Sequence, residues 1–116
     1  MKNIIKLLLE QELQNKNIGY KVMSYENGEI VSTANNKFRF PAKVGTTIRM
    51  PGKGIYMSTD KKFVLDYYSG LADQEVLITF QFDDEDITLG NVHDQNTELA
   101  ARKAKIVDLE ILESED

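Results

Sequence analysis

The hydrophobic pattern begins with a helical segment. Apolar residues in this segment recur at spacings of one, three and four: Ile5, Leu8, Leu9 and Leu13. Because this spacing places side chains on one face of a helix, it predicts an amphipathic helix over residues 3–15.

Extended segments follow, and the first two flank Asn27-Gly28. Both residues of an Asn-Gly pair tolerate positive φ, which a tight hairpin turn requires, so residues 20–33 are predicted to form a β-hairpin. The clearest single strand is 76–82, whose alternate residues are all apolar. A final strand is predicted over 105–112, with Val107, Leu109 and Ile111 pointing inward; the conformation of residues 97–104 stays open between helix and strand.

These segments predict an α+β fold in a single domain. It consists of an N-terminal helix within residues 1–18 and a core over 19–112, followed by an acidic tail, 113–116. The core is expected to hold a mostly antiparallel sheet of about five or six strands and one central helix over about residues 60–69.

A Gly-rich loop precedes that central helix. Pro51 and the run Gly52-Lys53-Gly54 lead into a short strand, and Ser58 or Thr59 is then predicted to cap the helix. Backbone N–H groups and a hydroxyl near a helix N-terminus suit an anion. An ordinary turn followed by a helix cap is the alternative interpretation.

Charge is divided unevenly along the chain. Its net charge is −5, with 11 basic and 6 acidic residues in 1–72 and 3 basic and 13 acidic residues in 73–116. The negative total opposes binding of bulk nucleic acid. A basic face on the first part is nevertheless predicted to contact a protein partner, through Arg39, Lys43, Arg49, Lys61 and Lys62.

The amino-acid composition excludes several kinds of site chemistry. The chain has no cysteine, which removes disulfides, zinc thiolates and Cys nucleophiles and fits a cytoplasmic location. Its apolar start is too short to cross a bilayer, so no membrane partner is expected. The acidic run 83–86 fits a solvated turn better than a metal site, and no metal is predicted.

One stretch carries a resemblance to a known family. The run Gly52–Asp60, with Tyr67-Tyr68 one helix later, resembles the nicotinamide-side segment of ADP-ribosyltransferases. The resemblance implies that an ADP-ribosyltransferase-like scaffold is possible and that NAD is used. It places Lys21 where an Arg is expected, Ser58 and Thr59 at the serine element, and Glu98 at the catalytic Glu. Tyr56 and Tyr67 would be the stacking aromatics.

A second resemblance covers Gly19 to Leu112. Tyr20-Lys21, the loop from Gly54 to Ser58, Tyr67-Tyr68 and the late run 103–107 are similar to small, mostly uncharacterised phage and prophage proteins. This likeness implies a viral accessory protein acting in the host cytoplasm.

Two functions are therefore predicted. The first is non-enzymatic binding, without a cofactor, of a host protein or a small nucleotide-like ligand. Its ligand-binding residues would include Gly52, Lys53, Gly54, Tyr56, Thr59 and Tyr67. The alternative is an ADP-ribosyltransferase that uses NAD, with Glu98, Ser58 and Lys21 as its catalytic residues. Neither the partner's identity nor the oligomeric state follows from the sequence.

Overall fold

A computed structural model describes residues 17–32, 39–70, 73–90 and 97–112. Strands contain 60% of these residues and helices 13%. The strands are β1 (Asn17–Glu26), β2 (Glu29–Val31), β3 (Arg39–Pro41), β4 (Thr47–Arg49), β5 (Ile55–Ser58), β6 (Glu75–Phe82), β7 (Ile87–Gly90), β8 (Glu98–Ala101) and β9 (Lys103–Leu112). An α-helix, α1 (Lys61–Tyr68), and a 3-10 turn, Asp84–Asp86, complete the described elements.

The predicted α+β class is wrong. The described residues form one antiparallel sheet of nine strands, more than the five or six expected, and only one α-helix lies beside it. Short segments with weak patterns, such as 87–90 and 98–101, are strands because tertiary pairing decides their conformation. The predicted helix over 3–15 and the acidic tail lie outside the described residues.

The hairpin at Asn27-Gly28 is confirmed. Asn27 has φ 50° and Gly28 has φ 82°, so both turn residues adopt the positive φ that the sequence predicted. The turn joins β1 to β2, which pair from Ser24–Val31 to Glu26–Glu29. It therefore fixes the register of the first two strands.

The sheet runs in the order β4-β9-β6-β1-β5-β8-β7, and β2 joins β1 to β3 beside this path. The predicted apolar alternation of β6 is confirmed, because Val76, Ile78, Phe80 and Phe82 all belong to the main buried cluster on one face. Leu77 faces the other way and packs with Val22 and Val64. The helix α1 thus covers the second face of the sheet through Val64.

The last strands settle one question that the sequence left open and correct one prediction. Residues 98–101 form a strand despite their helix-favouring composition, since Ala100 and Ala101 are fully buried between neighbouring strands. The predicted inward set of β9 is only partly right: Leu109 packs against the main cluster, but Ile106 is buried and Ile111 is exposed. A register shift opposite Thr79–Phe80 leaves Val107 without a paired residue on β6, which breaks the two-residue period.

The start of α1 also differs from the prediction. Asp60, rather than Ser58 or Thr59, caps the helix, because its Oδ1 accepts from the Phe63 N–H at 3.1 Å. Ser58 is instead the last residue of β5. Among the described residues, no helix is long and apolar enough to span a membrane.

Candidate functional site

Three adjacent strands bring the polar residues of the candidate site together. Tyr20 of β1 pairs with Ser58 of β5, and Ser58 pairs with Glu98 of β8. Paired residues on neighbouring strands lie on the same face, about 5 Å apart. The sheet therefore aligns Tyr20, Ser58 and Glu98 in one row beneath α1.

A cavity of about 220 Å³ lies over this row, between the sheet and α1. We call it the Glu98 pocket. Its apolar walls come from Val22, Met57, Val64 and Leu99, and its polar and aromatic lining from Tyr20, Lys21, Tyr56, Ser58, Tyr68 and Glu98. An apolar cavity with a few convergent polar groups is the usual form of a small-molecule site.

Glu98 is the acid that lines the pocket, and only 6% of its surface is exposed. The Tyr68 hydroxyl donates to Glu98 Oε1 at 2.7 Å. This hydrogen bond is the main reason that the pKa of Tyr68 lies above its ordinary value of 10.0, and burial and the Glu98 charge act in the same direction. The carboxylate is therefore held in place from the helix side.

Lys21 lies where the sheet splits. Tyr20 and Ser58 are the only described residues that pair β1 with β5, and β1 pairs with β2 only from Ser24 onward. Along this edge the strands separate beside Lys21, which lines both the Glu98 pocket and a second cavity of about 200 Å³. Burial lowers the pKa of Lys21 from its ordinary value of 10.5, and the negative charge of Glu98 partly opposes that change.

This buried lysine predicts a pH-dependent effect on stability. In the folded protein its pKa is lowered, so between that value and 10.5 the unfolded chain binds more protons and stability rises with pH. Lys21→Met is therefore expected to be more stable than the wild type near neutral pH, and this advantage is expected to vanish as the pH rises toward 10.5. Urea unfolding of both proteins across this range measures the difference.

Lys62→Met is the control for that experiment, because Lys62 is exposed in the first turn of α1. Its stability difference from the wild type is expected to stay small at every pH. A Lys21→Met variant that is less stable than the wild type at neutral pH would contradict the prediction, since attraction to Glu98 would then outweigh burial.

The Ser58 hydroxyl is committed to hydrogen bonds within the protein. Ser58 Oγ donates to Thr97 Oγ1 at 3.1 Å and accepts from the Asp60 N–H at 3.0 Å, and the residue is 1% exposed. Thr59 is exposed, and its N–H donates to the Thr97 carbonyl oxygen at 2.8 Å. Ser58 therefore positions the junction between β5 and α1, and it is not a free nucleophile.

Several residues predicted at one site lie in different places. Lys21, Tyr56, Ser58 and Glu98 line the Glu98 pocket, whereas Tyr67 does not. The Tyr67 side chain is 69% exposed and its ring contacts Phe63, with centroids 4.7 Å apart. The next residue, Tyr68, provides the helix contact to Glu98 instead. The sequence pattern indicated the pair Tyr67-Tyr68, but it could not show which of the two residues reaches the pocket.

The Gly-rich loop lies outside the Glu98 pocket. Gly52 borders a separate cavity beside Arg49, while Gly54 lines the second cavity that Lys21 reaches. The Lys53 carbonyl oxygen accepts from the Thr88 hydroxyl. Thr59 lines none of these cavities.

The five predicted protein-binding residues do not share a cavity in the described part of the chain. Arg39 pairs with Glu26 at 3.1 Å, Lys43 lies in an exposed loop, and Lys61 and Lys62 begin α1. Arg49 instead joins basic residues of β9 around two other cavities. No cluster of three or more potential metal ligands occurs within the described ranges.

Comparison with known proteins gives no family for this chain. No protein-family model matches it, and no curated protein or solved structure is significantly similar to it.

Proposed function

We propose that the protein binds a small nucleotide-like ligand and that a flat ring of this ligand enters the Glu98 pocket. The observation that carries the proposal is the convergence of Lys21, Tyr56 and Glu98, from three strands, on one cavity under α1. A host protein remains the other predicted partner. The small ligand is favoured because these side chains converge on one cavity, whereas the predicted protein-binding residues do not.

The size of the pocket supports a single ring. A cavity of about 150 Å³ holds benzene, and sites for larger ligands usually measure about 300–1,000 Å³. At about 220 Å³, the Glu98 pocket fits one heteroaromatic ring, and the rest of a nucleotide would extend beyond it.

The lining provides specific contacts for such a ring. Tyr56, with 38% of its surface exposed, stands at the solvent side of the pocket and can stack on a planar group. The carboxylate of Glu98 can accept hydrogen bonds from a ring amine or carboxamide. These two contacts would select a flat ring that carries N–H donors.

Ligand titration tests the binding proposal. We expect saturable binding of NAD or of nicotinamide by calorimetry, and Tyr56→Ala is expected to weaken it about tenfold, because stacking on one aromatic side chain contributes about 1–3 kcal/mol. Tyr67→Ala is the matched control, since Tyr67 is exposed and lies outside the pocket.

Two outcomes would contradict the binding proposal. Binding that Tyr67→Ala weakens as much as Tyr56→Ala would place the ligand elsewhere. If NAD, nicotinamide, AMP and GMP all fail to bind the wild type, the nucleotide-like ligand is wrong.

A second candidate function is ADP-ribosyl transfer from NAD. What favours it is the position of Glu98, whose carboxylate shares the pocket with Lys21 and Ser58. Glu98 would stabilise positive charge on the ribose while the bond to nicotinamide breaks and nicotinamide leaves with the bonding electrons. The acceptor then bonds to that ribose carbon and loses its proton.

A further inference from the structure

A second candidate site lies on the opposite part of the sheet, between β4, β9 and the 3-10 turn. Two cavities of about 370 and 560 Å³ adjoin there and share Arg49, Asp86 and Lys103. Their remaining charged lining is Asp83, Arg102 and Lys105. We call this surface the basic groove.

The strand register concentrates positive charge in the groove. Arg49 of β4 pairs directly with Lys103 of β9, and Lys105 follows two residues later on the same face. Like charges placed opposite each other across two strands destabilise a sheet. Within the described residues, no carboxylate lies within 4.0 Å of Arg49 or Lys105. The arrangement thus favours an external anion.

The burial of Asp86 is a second, independent observation that points to a ligand. It is 5% exposed, and its Oδ2 accepts no hydrogen bond from any described residue. Lys103 Nζ is 4.0 Å from Oδ2, and Arg102 Nε is 3.6 Å from Oδ1, so both contacts are longer than hydrogen bonds. Asp86 lines both cavities, and a buried carboxylate oxygen without a donor can accept one from a ligand hydroxyl bound there.

We propose that the basic groove binds a phosphorylated sugar, with the phosphate at Arg49, Lys103 and Lys105 and a sugar hydroxyl donating to Asp86 Oδ2. The cluster of cations and the Asp86 oxygen without a donor point to two different parts of one ligand. Arg49 and Lys105 have no carboxylate within 4.0 Å among the described residues, which favours an anion there. The Asp86 carboxylate lacks a donor, which inorganic phosphate supplies poorly and a sugar supplies well. This site is separate from the Glu98 pocket and does not depend on the function proposed for it.

Ribose 5-phosphate, inorganic phosphate and ribose are the probes. Calorimetry is expected to show that ribose 5-phosphate binds more tightly than either of the others. Arg49→Gln is expected to weaken it about tenfold, since a hydrogen bond to a charged group contributes about 1.5–3 kcal/mol. Lys105→Gln is expected to act in the same direction. Both side chains are exposed, so these variants should keep the fold.

Asp86→Ala distinguishes the hydroxyl contact from the phosphate contact, because alanine has no side-chain oxygen that could accept from a sugar hydroxyl. It removes a negative charge from the groove, so inorganic phosphate should bind at least as well as in the wild type, while the preference for ribose 5-phosphate should disappear. Thermal melting of this variant is the check that it is folded. Lys62→Gln removes the same charge as Lys105→Gln, but from α1, and is expected to bind like the wild type.

Three results would overturn the proposal. One is the absence of saturable binding of ribose 5-phosphate by the wild type. Another is equal affinity for ribose 5-phosphate and inorganic phosphate. The last is binding that Arg49→Gln and Lys105→Gln leave unchanged.

Discussion

Gly54→Ala is expected to lower the free energy of unfolding by about 3 kcal/mol or more, whereas Gly52→Ala is expected to lower it by about 1–2 kcal/mol. Both glycines have positive φ, 93° at Gly54 and 74° at Gly52. An added Cβ at Gly52 has no neighbour within 4 Å, so only the backbone conformation opposes it. At Gly54 the same Cβ would lie 2.4 Å from the carbonyl oxygen of Ala101.

The Gly54 contact cannot relax by a side-chain movement, because Ala101 presents its backbone. β5 and β8 would have to separate, and they carry the paired Ser58 and Glu98. Urea denaturation measures both stabilities. Equal losses in the two variants would show that close strand approach does not matter, and a Gly54→Ala protein with normal stability would disprove the prediction.

This close approach involves a segment whose conformation the sequence left open. Residues 98–101 include Leu99 and two alanines, which favour a helix in isolation. In the folded protein β8 pairs with β5 on one side and with β7 on the other. Nothing local to the sequence specifies those partners, so the strand could not be predicted from its own composition.

Segments whose own residues determine their conformation could be predicted from the sequence. The positive φ of Asn27-Gly28 follows from the residues themselves, and the alternation of β6 defines its two faces. The number of strands did not follow in this way. It depends on short strands such as β4 and β7, whose three or four residues are held by neighbours distant in sequence.

The candidate site was partly predictable even though the fold class was wrong. Lys21, Ser58 and Glu98 were identified by a resemblance over short motifs, and the strand register brings them to one pocket. The choice of Tyr68 over Tyr67 depends on how α1 is turned toward Glu98, because successive helical residues point about 100° apart. The burial of Asp86 was also hidden, since the sequence shows only four consecutive acids.

The transferase hypothesis makes the largest functional prediction, and its variant is Glu98→Gln. The amide oxygen can still accept from the Tyr68 hydroxyl, so the pocket should keep its shape while losing the carboxylate charge. If the protein transfers ADP-ribose, we expect label transfer from NAD to proteins of a lysate to fall at least 100-fold, as expected when a group that stabilises transition-state charge is removed. NAD binding should fall far less.

Glu110→Gln is the control for the transfer experiment, because Glu110 is an exposed acid on β9 and its replacement changes the net charge equally. Its label transfer is expected to match the wild type. Transfer that persists in Glu98→Gln would contradict the role that the transferase hypothesis gives to Glu98. If the wild type binds NAD but transfers no label, the pocket acts by binding alone, because a carboxylate held by Tyr68 can orient a ring without breaking its glycosidic bond.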